Sequence, residues 1–279
     1  MKEIKLQAPA KINIGLNITE RRKDGYHNIE TIFYPVQLSD EITIRESEND
    51  HFVSNDPVLK TDKTNLIIHT KMMIEKYTGW PLPAYIELNK RIPVSAGLGG
   101  GSSDAAAVLK GLNEVFDLKI PRETLLKFAL KLGSDVPFFI DSVPCYGSGR
   151  GEKLFPVKLK ISYPVLLVNP GIFIPTRWAY FYVKPSKPEK SLRDFIDAEN
   201  PFESLLESGI LKNDFEPVVF RKHPEIKRLK HDLQNSGAMI SLMSGSGSTV
   251  FGIFKDLETA KEAERLFEKR YFVFLHHTP

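Results

Sequence analysis

PVSAGLGGGSSDAA, residues 93–106, places four glycines in the five positions 97–101 and follows them with two serines, an aspartate and an alanine run that continues to Ala107. Glycine has no Cβ and admits positive φ, so consecutive glycines let successive backbone N–H groups converge on one bulky anion. Ser103-Asp104 before Ala-Ala-Ala-Val-Leu reads as a helix start, and a helix N-terminus adds unsatisfied N–H donors and a partial positive charge. Loop and helix therefore point to the same ligand, a phosphate. Spacing excludes the common phosphate loops: no lysine follows the glycines as a Walker A loop requires, and the third glycine of G-x-G-x-x-G would fall on Ser102. A flexible hinge is the plain alternative, and a rigid proline on one side with an alanine-rich helix on the other argues against it.

Working outward, residues 4–18 alternate polar and apolar as a half-buried strand, and Asp24-Gly25 predicts a turn. IETIFYPVQL and EITIR read as two further strands separated by Ser39-Asp40, and residues 46–64 as loop with one irregular strand. NLIIHTKMMIEKYTG has helical spacing ended by Gly79, and AYIELN predicts a strand that leads into the glycine loop. Helices are expected in SDAAAVLKGLNEVF, RETLLKFALKLG, near 201–211 and 224–236, and in LETAKEAERLFEKR. YPVLLVNPG, MISLM, TVFGIF and YFVFLH read as strands, and VKPSKPEKSL as a mobile surface loop. Strands and helices alternate without the even rhythm of a parallel barrel, which favours a two-domain α+β protein. A boundary is expected near 150–160, giving domains 1–157 and 158–279.

Composition narrows the function classes. The 38 Lys plus Arg against 35 Asp plus Glu leave a net charge of +3 with the basic residues scattered, which gives no support to nucleic-acid binding. One cysteine, Cys145, excludes an intramolecular disulfide and offers no metal-site spacing, so it reads as a packed thiol; the histidines other than His27 read as structural or surface. With no apolar run of membrane-spanning length and no signal-peptide pattern, a cytoplasmic protein without a membrane or protein partner is expected.

The loop resembles the phosphate loop of the GHMP kinase superfamily, P-x-x-x-G-L-G-S/G-S/G-S-S-A/D-A, through Pro93, Gly97, Leu98, Gly99, Gly100, Gly101, Ser102, Ser103 and Ala105. Within it, the chain is most similar to the branch that phosphorylates the 2-hydroxyl of a cytidine-diphosphate-linked methylerythritol in the non-mevalonate route to isoprenoids. The resemblance covers nearly the whole chain: APAKINIGL at 8–16, DGYHNIETI at 24–32, KRIPVSAGLGGGSSDAA at 90–106, GSDVPFF at 133–139, GRGEKL at 149–154, NPGIFIPT at 169–176, NDFEPVV at 213–219 and SGSGSTVFGIF at 244–254. Ser95 stands where this family often has glycine or alanine. The resemblance implies an N-terminal ribosomal protein S5 domain 2-like nucleotide domain with left-handed βαβ topology and a C-terminal ferredoxin-like domain. It also implies ATP as co-substrate with Mg²⁺.

The same resemblance assigns roles. Asp135 matches the catalytic aspartate that orients and deprotonates the acceptor hydroxyl, and Lys11 the lysine that keeps that carboxylate ionised and stabilises the transition state. The residues alone read differently: Asp135 as a helix N-cap and Lys11 as a solvated strand residue. Asn65, Lys90, Val94, Ser95, Ala96 and Asp104 join the loop residues as ATP-binding positions. Asp104 is ambiguous, since a carboxylate beside a triphosphate repels it. Asn13, Tyr26, His27, Thr176 and Tyr180 match the substrate side, where aromatic faces stack a pyrimidine and imidazole bonds its edge; a hairpin flank and a core aromatic are the plain alternatives. SGSGS at 244–248 is either a tight hairpin or a wall of the site. Ser103 is the one candidate Mg²⁺ ligand. Two rivals remain: a small-alcohol kinase of the mevalonate or homoserine type, which needs no base-stacking aromatics, and a non-catalytic nucleotide sensor, which needs neither Lys11 nor Asp135.

Overall fold

The structure is a computed structural model that describes residues 2–57, 59 and 62–277. The chain forms two compact units, one of Met1–Ala10, Gln37–Val94 and Gly99–Val143, the other of Lys11–Val36, Ser95–Leu98 and Pro144–Pro279. The long strands β1 (Glu3–Arg21) and β2 (His27–Glu46) are therefore each divided between the two, and so is the glycine loop.

In the first unit the distal half of β2 pairs antiparallel with β4 (Ala84–Asn89), and β3 (His51–Ser54) adds in parallel to β4. Alternation of AYIELN gives β4 one buried face, as its period-2 pattern requires. Four helices belong here: α1 (Leu66–Thr78), α2 (Gly100–Val115), α3 (Arg122–Leu132) and the short α4 (Phe138–Asp141). Asn65 caps α1 by accepting the Ile67 N–H, and Gly79 closes it in the left-handed conformation. Ala105, Ala106 and Ala107 are buried in α2, which comes so near the sheet that a Cβ on Gly111 would lie 2.5 Å from Ile44 Cδ1. The alanine run thus allows the close packing expected of it.

IETIFYPVQL and EITIR are one strand, not two. Asp40 is fully buried in β2 and accepts the Arg91 and Ile92 N–H groups at 2.6 and 2.8 Å, so a residue pair read as a turn is satisfied from another part of the chain.

In the second unit the proximal half of β2 pairs with β5 (Cys145–Ser148), which pairs with β6 (Lys153–Pro156). A separate four-stranded antiparallel sheet has the order β10-β7-β9-β8, from β7 (Val165–Asn169), β8 (Ala238–Met243), β9 (Val250–Phe254) and β10 (Phe272–His276). Between β7 and β8 run α5 (Thr176–Tyr182), α6 (Pro201–Ser208), α7 (Glu216–Lys222) and α8 (Pro224–Asn235), and α9 (Leu257–Phe267) links β9 to β10. This order is ferredoxin-like, and VLLVN and VFGIF are buried at every position because they are the two central strands. Leu229 and Leu233 of α8 with Ala260, Ala263 and Phe267 of α9 complete that core. Residues 192–195 at the end of VKPSKPEKSL form a 3-10 turn with a Ser191 capping box. Among the described residues no helix is long and apolar enough to cross a membrane.

Candidate active site

The first unit carries the residues expected on the nucleotide side, Ser95–Leu98 excepted. A cavity of about 310 Å³ is lined by Asn65, Leu66, Ile67, Leu88, Val94, Gly101 and Asp104 among others. Val94, 56% exposed, and the leucines and isoleucine offer apolar surface of the kind a purine face covers, and Gly101 places a bare backbone edge beside them. Asn65 serves as the α1 cap and also lines this cavity. Lys90 is buried and bonded to two carboxylates, Asp40 and Asp104, the latter at 3.0 Å. Burial alone would lower the Lys90 ammonium, and the two acids together raise it above its ordinary value. The Asp104 carboxyl goes the other way from the usual surface aspartate: burial, with the charge of Asp40, pushes it up despite Lys90, which favours the neutral form. Asp135 lies in the bend between α3 and α4, half buried, and the N-cap position of α4 is held by Pro137.

The second unit carries the residues expected on the acceptor side, Asp135 excepted. Lys11 is only 3% exposed on β1, which rules out the solvated reading. Its ammonium donates to Asn13 Oδ1 at 2.6 Å and Gly97 O at 3.4 Å and lies 5.4 Å over the Phe33 ring. Asn13 in turn donates to Thr31 Oγ1 at 2.9 Å, and Thr31 to Gly15 O at 2.6 Å, so a buried polar chain fixes the lysine. His27 stacks on Tyr180, centroids 5.2 Å apart and planes 26° apart, and Tyr180 meets Phe215 edge-on. Burial, aided by Arg21, lowers the His27 pKa and keeps the imidazole neutral, with one nitrogen to donate and one to accept. Tyr26 is 52% exposed, with the Arg150 guanidinium 4.5 Å over one face. Thr176 shares a hydrogen bond with Ser246 at 3.0 Å.

SGSGS is the β8–β9 connection, and it grips the glycine-loop segment 95–98: Ser244 Oγ donates to Gly97 O at 2.9 Å and Thr249 N to Ala96 O at 3.1 Å. Backbone geometry explains the glycines and their one exception. Gly97 and Gly99 have φ of +79° and +73°, and Ser95 holds +56°, a left-handed conformation that favours glycine where this chain carries serine.

Comparison with known proteins decides the family. Residues 65–142 match the family model described as the GHMP kinases N terminal domain, and residues 191–272 the one described as GHMP kinases C terminal. The 4-diphosphocytidyl-2-C-methyl-D-erythritol kinase of Bacteroides fragilis is 44% identical over 255 residues, covering 89% of this chain and 91% of the relative. That of Chlorobium phaeobacteroides is 38% identical, covering 99% and 97%. The chain belongs to the 4-diphosphocytidyl-2-C-methyl-D-erythritol kinase family. A crystal structure of a 4-(cytidine 5'-diphospho)-2C-methyl-D-erythritol kinase superposes with a TM-score of 0.83 at 32% identity over 98% of both chains. Homoserine kinase from Cytophaga hutchinsonii, at 18% identity and a TM-score of 0.78, shares the fold. Membership makes the chain a phosphotransferase with an alcohol acceptor and ATP as co-substrate, and the two-domain GHMP kinase fold accounts for the two sheets.

Kinases of this family raise the question of Mg²⁺. Among the described residues no three His, Cys, Asp or Glu side chains converge to hold a metal. On the first turn of α2, however, Ser103 Oγ and Asp104 Oδ1 are buried oxygens with no hydrogen-bond partner. Hard oxygen donors in small number fit a cation that keeps most of its shell from phosphates and water.

Sequence reasoning missed two residues that hold the candidate site together, Asp40 and Asn213, and it named Ser244 only as part of SGSGS. Asp40 was hidden by its turn-like neighbour Ser39. Asn213 holds the β8–β9 loop by donating to Met243 O at 2.6 Å and Gly245 O at 2.9 Å, and Ser244 ties that loop to Gly97. Both lie in quoted motifs, NDFEPVV and SGSGS, so the motif was visible and the contact was not.

Proposed function

We propose that the protein transfers the γ-phosphoryl group of ATP to the 2-hydroxyl of 4-diphosphocytidyl-2-C-methyl-D-erythritol, a step of the non-mevalonate route to isoprenoids in the cytoplasm. The observation that carries the choice of acceptor is the exposed ring of Tyr26, the chain neighbour of neutral-leaning His27, because mevalonate and homoserine contain no base for such a ring. The stacked rings of His27 and Tyr180 touch each other at 5.2 Å, so the cytosine goes against the uncovered face of Tyr26, with neutral His27 bonding its edge.

The assigned chemistry is an in-line displacement. Asp135 takes the proton of the 2-hydroxyl, the freed oxygen bonds to the γ-phosphorus, and the bond to the bridging oxygen of ADP breaks. Lys11, held by Asn13 and Gly97, offsets the charge that develops on the phosphoryl oxygens. The N–H groups of residues 97–102 receive the phosphates, Lys90 and Asp104 support that turn, and Asn65 and Val94 meet the adenosine. Ser103 would hold Mg²⁺, and the ion would supply neutralisation of phosphate charge. Asn13 and Thr176 meet the erythritol end. In this reading residues 1–157 supply the nucleotide pocket, Lys11 and Asp135, and residues 158–279 supply Thr176 and Tyr180.

The test is ATP-dependent phosphate transfer to the cytidine substrate with mevalonate and homoserine in parallel. Transfer to the first alone is expected, and transfer to either of the others would discard the cytosine assignment. Tyr26→Ala should raise KM for the cytidine substrate roughly 5- to 150-fold, the worth of one base–aromatic stack, and leave KM for ATP unchanged. An unchanged KM for the cytidine substrate would remove Tyr26 from the site.

A further inference from the structure

We propose that Asp40 is a positioning residue for the nucleotide, holding Lys90, Arg91 and Ile92 as one rigid lead into the glycine loop and, through Lys90, the first turn of α2. This rests on the reading of the cavity beside Asn65 as the ATP pocket. Asp40 is fully buried at the point where β2 passes the end of β4. Its Oδ1 accepts two consecutive backbone N–H groups, those of Arg91 at 2.6 Å and Ile92 at 2.8 Å, while its Oδ2 accepts from the Lys90 ammonium. Both N–H groups belong to coil residues that no ladder serves, and burying them unpaired is costly.

The second link runs through Lys90. Its ammonium also donates to Asp104 Oδ2 at 3.0 Å, and a Cβ on Gly100 would lie 3.2 Å from that ammonium and 3.1 Å from Ile92 Cγ2. The lysine therefore sits directly under the turn whose N–H groups would face the phosphates. Asp104 and Gly101 line the cavity, so displacement of Lys90 reaches the pocket wall. A buried ammonium needs a full counter-charge. Asp40, wholly buried with its Oδ2 on that ammonium, is placed to supply it.

Asp40→Asn keeps the shape and one acceptor for the backbone but removes the charge that anchors Lys90. Titration of the whole protein with ATP, alongside steady-state kinetics and thermal melting, reads the effect. The expected result is ATP dissociation constant and KM for ATP both raised by about 10-fold or more, the size of losing one charge-assisted contact, with KM for the acceptor alcohol unchanged and kcat at saturating ATP within about threefold. In the double variant with Lys90→Met, the ATP affinity should be no worse than the poorer single variant, since the two act as one unit. ATP affinity within twofold of wild type, equal losses toward ATP and alcohol, or additive losses in the double variant would each overturn the proposal. Should Asp40→Asn not fold, Asp40→Ser leaves room for a water to meet the two N–H groups and gives the same readout. A wild type that does not bind ATP overturns the pocket reading itself, which a normal wild type with an unaffected variant does not.

Discussion

Replacing Asp135 by asparagine is expected to lower kcat by about 10²- to 10⁴-fold, the usual worth of a positioned general base, while the dissociation constant for ATP stays within about twofold. At a 10³-fold loss the barrier rises by about 4 kcal/mol. Asparagine has the size of aspartate and similar hydrogen-bonding reach, so the change removes the proton acceptor while keeping the shape of the side chain. Asp135 lies in the α3–α4 bend, with Pro137 at the N-cap position of α4, and a thermal melt of the variant separates any loss of stability from the loss of chemistry. Single-turnover transfer with saturating ATP separates chemistry from binding. A rate within tenfold of wild type would take the base role from Asp135 and leave it to another group.

Gly97→Ala should cost the most stability of any methyl added to the loop. Its φ is +79°, where a Cβ costs about 1–2 kcal/mol, and that Cβ would stand 2.2 Å from Ser244 O and 2.9 Å from Gly247 O. Both obstacles are backbone atoms of the β8–β9 loop, which Asn213 and Ser244 hold from two sides, so neither can swing away as a side chain would. Adding an overpacking cost of about 1–3 kcal/mol, we expect a loss of about 3 kcal/mol or more, read as a fall in Tm of roughly 6–12 °C for a chain of this size. Gly101→Ala is the matched control: nothing lies within 4 Å of a Cβ there, and it falls in the first turn of α2, where alanine is the better helix former. Equal Tm values for the two variants would show that the clash at Gly97 is relieved at little cost.

Legibility in the sequence followed the range of the interaction. Helix α1 could be drawn from Asn65 to Gly79 because cap, periodic face and left-handed stop all act within a few residues. The glycine loop and the alanine run of α2 could be read for the same reason. Lys11 shows the limit: β1 was visible as a strand, yet burial of the lysine depends on Asn13 beside it and on Gly97, 86 residues away. His27 and Tyr180 were both named for the base, but nothing local could show that they stack on each other.

By itself the sequence determined the family, the phosphate loop, the strand and helix inventory and the identity of most candidate side chains, because these rest on local periodicity, turn chemistry and ordered motifs. Tertiary structure alone decided that Ser39-Asp40 lies inside one strand, that Lys90 is locked between two acids, and that Ser244 and Asn213 secure the loop around Gly97. Those outcomes depend on buried groups finding partners 14 to 147 residues away. A buried N–H or carboxylate must be paired wherever the chain can bring a partner, and the fold, not the neighbouring residues, brings it.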